Sequence, residues 1–119
     1  MRRGRVLLTV AEGEWHTLPL RMVALVWREL GWDVVAVSPS LPTEDLVAMA
    51  YDDPCTVGAV SCAMTSNLVG AWHCVAAMRL AGMRVVVGGR AFEAEPRLAD
   101  RIGADAHPID PVHAGETLV

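Results

Sequence analysis

The stretch EGEWHTLPL, residues 12–20, puts a carboxylate, an indole and an imidazole in consecutive positions, Glu14, Trp15 and His16. It joins a short apolar run to a long amphipathic one, where connections are ordinarily small and polar. An imidazole there can exchange a proton near neutral pH or ligate a metal, and a carboxylate beside it fixes its tautomer. The plain alternative is a solvated histidine next to an acid that complements a helix N-terminus. Two further stretches have unusual chemistry. In SCAMTSN, residues 61–67, the hydroxyls of Ser61 and Thr65 can donate hydrogen bonds across a run of small residues that includes Ala63, with Met64 between. In GGRAF, residues 88–92, Gly88 and Gly89 let backbone approach a ligand with no Cβ in the way, and Arg90 and Phe92 follow as candidate rim contacts.

Each stretch follows an apolar run too short for a helix. Strands are expected at 5–10, 33–37, 57–61 and 83–87, with a brief fifth near 104–106. The first helix covers 18–30, with Met22, Val23, Val26 and Leu30 on its apolar face, Pro19 in its first turn and Gly31 as its stop. Thr43, Glu44 and Asp45 open a short helix that ends near Tyr51. Ser66 or Asn67 caps a third, which carries Leu68, Trp72, Val75 and Met78 and ends at Gly82. A fourth covers 93–102, and a last one starts near Val112 and is cut off by the C-terminus.

Apolar strands, each followed by an amphipathic helix, indicate a parallel sheet covered on both faces. The expected fold class is α/β: a flavodoxin-like (Rossmann-like), doubly wound, five-stranded parallel sheet. Such sheets bind ligands outside the carboxyl ends of their strands, where strand order reverses. All three stretches belong to that edge.

The 119 residues make one domain, 1–119, with 1–4 as a basic lead-in. A hydrophobic fraction of 53% suits a buried sheet and argues against disorder. A net charge of −4 leaves no electrostatic footprint for direct nucleic-acid contact, and the cluster Arg2, Arg3 and Arg5 reads as solvated or as a junction to an upstream domain. No apolar stretch has membrane-spanning length and no signal peptide is present, so the reading is cytoplasmic, with no membrane. Cys55, Cys62 and Cys74 are an odd number without paired spacing; Cys62 and Cys74 are expected in the core and Cys55 in a loop.

Several familiar sites are missing. There is no G-x-G-x-x-G, no G-x-x-x-x-G-K-[ST] and no G-x-S-x-G. Glu12 and Glu14 imitate the acidic pair of a phosphoacceptor domain, but the chain has no lysine to complete it. Histidines 16, 73, 107 and 113 lack zinc-site spacing, and the last three read as structural. Trp27, Trp32 and Trp72 read as core or interface residues.

Taken together, the three stretches resemble the cobalamin-binding domain family. Its signature is D-x-H-x-x-G after the first strand, S-x-L or S-x-x-x-T after the third and G-G after the fourth. Here these read Glu14-Trp15-His16-Thr17-Leu18-Pro19, Ser61 through Thr65, and Gly88-Gly89. Glutamate stands for the family's aspartate, proline for its glycine, and Ala63 and Met64 where it often has leucine. The resemblance implies cobalamin as cofactor, as adenosylcobalamin or methylcobalamin, bound base-off with His16 as lower axial ligand of cobalt and Glu14 behind it. It further implies cofactor contacts from Trp15, Thr17, Leu18, Ser61, Ala63, Met64, Thr65, Gly88, Gly89, Arg90 and Phe92. The family's regulator and photoreceptor branch implies a sensory, light-responsive module in transcription regulation, with a partner domain or protein capping the upper cobalt face. A corrinoid carrier subunit of a methyltransferase or mutase is the second reading, and a cofactor-free flavodoxin-like signalling module the third. In none is the chain an enzyme by itself.

Overall fold

The computed structural model describes residues 4–11, 13, 18–37, 45, 48 and 57–105. Their elements are β1 (Gly4–Val10), α1 (Leu18–Glu29), β2 (Trp32–Val37), β3 (Val57–Ser61), a 3-10 turn (Thr65–Asn67), α2 (Leu68–Leu80), β4 (Arg84–Gly88), α3 (Arg90–Ala94) and α4 (Arg97–Arg101). The strands form a parallel sheet of order β2-β1-β3-β4. After β1 the chain adds β2 on one side, then crosses to add β3 on the other. Strand order therefore reverses between β1 and β3.

Alternation along each strand sorts side chains to the two faces. Val6, Leu8 and Val10 of β1, Val34 of β2 and Ala59 of β3 lie on the face that receives Leu20, Ala24 and Trp27 of α1. Leu7, Val60, Val85 and Val87 lie on the opposite face, against Ala71, Cys74, Val75 and Met78 of α2 and Ala91, Phe92 and Ala99 of α3 and α4. Each large apolar side chain buried this way contributes roughly 1.5–3 kcal/mol. At Gly58 the approach is so close that a Cβ would meet the sulfur of Met78.

Several details differ from expectation. Of the residues expected on the apolar face of α1, Val23, Val26 and Leu30 pack partly buried against the core, beside the fully buried Leu20, Ala24 and Trp27, whereas Met22 is 59% exposed. The position of the sheet centres the buried side on Leu20, Ala24 and Trp27 and leaves Met22 beyond its margin. Trp32 joins the core, while Trp72 points outward from α2. The fourth helix is two short ones, interrupted before Pro96, which supplies no amide donor to a continuous helix. Arg5 is not a free lead-in charge: it lies in β1 and its Nε donates to Asp33 Oδ2 of β2 at 3.0 Å.

Four strands are present among the described residues. Where a fifth was expected, Ala104 and Asp105 are not in a strand, and Ala106 lies outside the described residues. Asp105 nonetheless engages the outer edge of β4. Its amide donates to the Val85 carbonyl at 2.7 Å, and its carboxylate accepts from the Val85 amide and from Arg79 Nη1, each at 2.7 Å. The Val85 amide first, then Arg79 and Arg84, hold this carboxyl below its ordinary pKa against the opposing effect of burial. The helix expected at 43–51 is represented only by Asp45 and Ala48, both helical and exposed. The last helix, from Val112, and Cys55 lie outside the described residues. No helix among the described residues is long and apolar enough to cross a membrane.

Candidate functional site

The carboxyl edge of the sheet is built on one row. Val10 of β1 is in register with Ser61 of β3, and Ser61 with Gly88 of β4. By strand alternation, Val10, Ser61 and Gly88 all face the side on which α1 packs. Backbone hydrogen bonds continue past the strand ends: the Ala11 amide donates to the Ser61 carbonyl at 2.8 Å, and the Cys62 amide to the Gly88 carbonyl at 2.9 Å. The three loop roots at the switch point are thereby fixed to one another.

The two glycines at the end of β4 have different work. A Cβ on Gly88 would meet nothing within 4 Å, so the space beside it is open. A Cβ on Gly89 would overlap the carbonyl oxygen of Cys62. Gly89 also has φ 105° and ψ 169°, a backbone conformation available in practice only to glycine. The close approach lets the Cys62 carbonyl accept from the Ala91 amide at 3.1 Å. Cys62 is buried, and its thiol turns back to donate to the Met64 carbonyl at 3.2 Å. Gly89 and Cys62 thus lock the loops after β3 and β4 together, leaving Gly88 and Ser61 at the opening.

Around that opening Ser61 and Ala63 are half-buried, and Met64 and Thr65 are exposed at the start of the 3-10 turn. Arg90 is exposed at the first position of α3. Leu18 is the first residue of α1. Phe92 corrects the sequence reading: at 0% exposure it belongs to the core with Val87 and Ala91, and a fully buried ring has no surface to offer a ligand as a rim contact. Glu14, Trp15, His16 and Thr17 lie outside the described residues.

Asn67 is the contributor that sequence reasoning missed. It occupies the N-cap position of α2, yet its side chain makes no capping hydrogen bond. Its amide is directed instead at Gly13 in the first loop, where a Cβ would stand 3.1 Å from Asn67 Oδ1. The loop after β3 therefore touches the loop after β1 at Gly13, three residues past the end of β1 at Val10. Nothing local distinguishes this role from helix capping, because Asn suits both.

The arrangement offers a slot at the switch point: one open side, two small residues and hydroxyls at the rim, and a locked backbone floor. The profile of the B12 binding domain family matches residues 4–110. Among solved structures, the fold is similar to a cobalamin-binding protein from Desulfitobacterium hafniense, with TM-score 0.84 and 19% identity over 96% of this chain and 57% of that one. It is similar to the methanol:cobalamin methyltransferase complex of Methanosarcina barkeri, with TM-score 0.85 and 19% identity over 98% of this chain and 45% of that one. It is also similar to the monomethylamine corrinoid protein of the same organism, with TM-score 0.80 and 20% identity over 94% and 55%. The chain spans about half the length of these proteins. No curated protein matches the sequence.

Proposed function

This chain belongs to the B12 binding domain family, and from that premise we propose that it holds cobalamin base-off, with His16 as the lower axial ligand of cobalt and Glu14 as the partner of its other ring nitrogen. The cofactor is cobalamin; the mode of binding is the proposal. The observation that supports it is the open space beside Gly88, on the row and face of Ser61, at the point where strand order reverses. A Cβ at residue 88 would project into that space, so the floor is shaped for an inserted group. The Ser61 and Thr65 hydroxyls are hydrogen-bonding groups for the polar parts of such a group, and Met64 and Ala63 offer apolar contact at the mouth.

When bound, cobalamin supplies a cobalt centre with an exchangeable carbon ligand, and the protein supplies binding, orientation and shielding. A neutral imidazole presents the lone pair that ligation needs. A carboxylate accepting from its other nitrogen fixes the tautomer and raises ligand basicity. His16 stands two residues before α1 in the sequence, and a helix N-terminus favours a neutral imidazole over imidazolium. Leu18, Trp15 and Thr17 stand beside His16 in the sequence, and Arg90 follows Gly88 and Gly89 at the carboxyl end of β4.

For the use of the cofactor, we infer a sensory, light-responsive module that transmits the state of the upper ligand to a further domain or protein. The carrier reading has its own support, since two similar structures are corrinoid proteins of methyl-transfer systems. In both, the chain's part is to hold the cofactor while other protein acts on its upper face. An absorption titration with adenosyl-, methyl- and hydroxocobalamin, in dark and light, tests the proposal. Wild type should give base-off spectra that change in His16→Ala; an unaltered spectrum in that variant overturns histidine ligation. Light-dependent change in the adenosylcobalamin complex and in its oligomeric state supports the sensor. Methyl transfer that needs a partner enzyme supports the carrier.

A further inference from the structure

We propose that Met64 is an oxidation-controlled contact of the cofactor site: a peroxide that converts its thioether to the sulfoxide weakens the seating of cobalamin. The inference rests on this chain holding cobalamin and not on the ligand role of His16. Met64 stands three residues past the end of β3, immediately before the 3-10 turn, and is 48% exposed. Its backbone has little freedom to withdraw it. The Met64 carbonyl accepts from the Cys62 thiol at 3.2 Å and from the Asn67 amide at 2.9 Å. The Asn67 side chain in turn lies against Gly13 of the first loop. A thioether is thus presented at the mouth, on the loop that leaves Ser61, in register with Gly88 and its open space.

Comparison with the other described sulfurs singles this one out. Met78 and Met83 are buried, as are Cys62 and Cys74, so a dissolved oxidant is kept from them. Met22 is exposed, but it stands on α1 and off the row of Val10, Ser61 and Gly88. A leucine at position 64 would offer a similar apolar contact with nothing to oxidise, so the sensitivity belongs to the sulfur. With hydrogen peroxide, a sulfur lone pair attacks one oxygen. The S–O bond forms as the O–O bond breaks, and sulfur gives up two electrons. The proton of the transferred oxygen passes to the departing one, which leaves as water. The sulfoxide is polar where the thioether was apolar. Covering it with the cofactor strips water from an oxygen that an apolar contact does not satisfy.

Hydrogen peroxide treatment of the full chain, followed by peptide mass mapping and equilibrium dialysis against hydroxocobalamin, is the test. Without cofactor, Met64 and Met22 should each gain one oxygen while Met78 stays reduced. Saturating hydroxocobalamin should slow oxidation of Met64 roughly fivefold or more and leave that of Met22 unchanged. Oxidised wild type should bind hydroxocobalamin roughly tenfold or more weakly, with an unchanged circular dichroism melt. Methionine sulfoxide reductase should restore binding where a thiol reductant alone does not. Whatever its own affinity, Met64→Leu should lose less than about twofold on the same treatment, and Met22→Leu should lose as much as wild type. A Met64 that cobalamin fails to protect overturns the proposal. So does oxidation at Met64 that leaves affinity intact, a loss that persists in Met64→Leu, or a loss that accompanies unfolding. Absence of binding by untreated wild type refutes the cofactor premise itself, an outcome distinct from each of these, and the His16→Ala spectrum decides ligation separately.

Discussion

Gly89 lies against the Cys62 carbonyl so closely that no Cβ fits between them, whereas Gly88, one residue earlier, borders open space. The contrast separates a glycine the fold requires from one it does not. Gly89→Ala should destabilise the protein by about 2–4 kcal/mol, from positive-φ strain together with the clash. Gly88→Ala should change stability by less than about 1 kcal/mol, because its backbone is ordinary strand and its Cβ meets nothing. Yet it should weaken cobalamin retention at least tenfold. Urea unfolding and equilibrium dialysis, run on both variants, check the pair. Equal loss of stability in the two would contradict the division of roles.

Asn67→Ala should loosen the first loop without unfolding the domain. The side chain makes no capping bond to lose, so the cost to stability should stay under about 1 kcal/mol. Its contact with Gly13 bears on the loop that carries His16, and cobalamin affinity should fall three- to tenfold. Isothermal titration beside thermal melts separates the two effects. A large stability loss with unchanged affinity would make Asn67 a purely structural residue.

Asp105 ties β4 to the chain beyond α4, and its pKa is lowered chiefly by the Val85 amide. Its contribution to stability is complete above the unfolded pKa of about 3.9 and is lost as pH falls through the lower folded value. Asp105→Asn should cost about 1 kcal/mol at neutral pH. The gap to wild type should close as pH falls below about 4. Denaturant melts across pH 2.5–7 are the measurement, and a gap that is constant with pH would remove the charge from the explanation.

Phe92→Ala should cost about 3–5 kcal/mol, as truncation of a fully buried ring does. The folded fraction should bind cobalamin with wild-type affinity, because the ring is core and not rim. Reduced affinity at temperatures where the variant is fully folded would restore it to the site.

Strand positions were legible in the sequence because hydrophobic runs bounded by glycine and polar residues have few other uses. β1, β2 and β3 each match expectation to within a residue, and the order of three loops along one sheet edge followed from the parallel arrangement. Which apolar helix positions stay exposed was not legible. In α1 the exposed Met22 and Leu25 are as apolar as the buried Leu20 and Ala24, and in α2 the apolar Val69, Trp72 and Leu80 face outward beside His73 and Arg79.

The sequence by itself determined the fold class, the switch-point edge and the types of group at that edge, since each depends on local periodicity and residue chemistry. Tertiary structure alone decided that Phe92 is core, that Asn67 turns from its own helix to Gly13, and that Gly88 and Gly89 do opposite work. Those distinctions depend on which backbone and side-chain atoms pack against a given position. The neighbours come from strands and loops tens of residues away, and a single position in the chain carries no record of them.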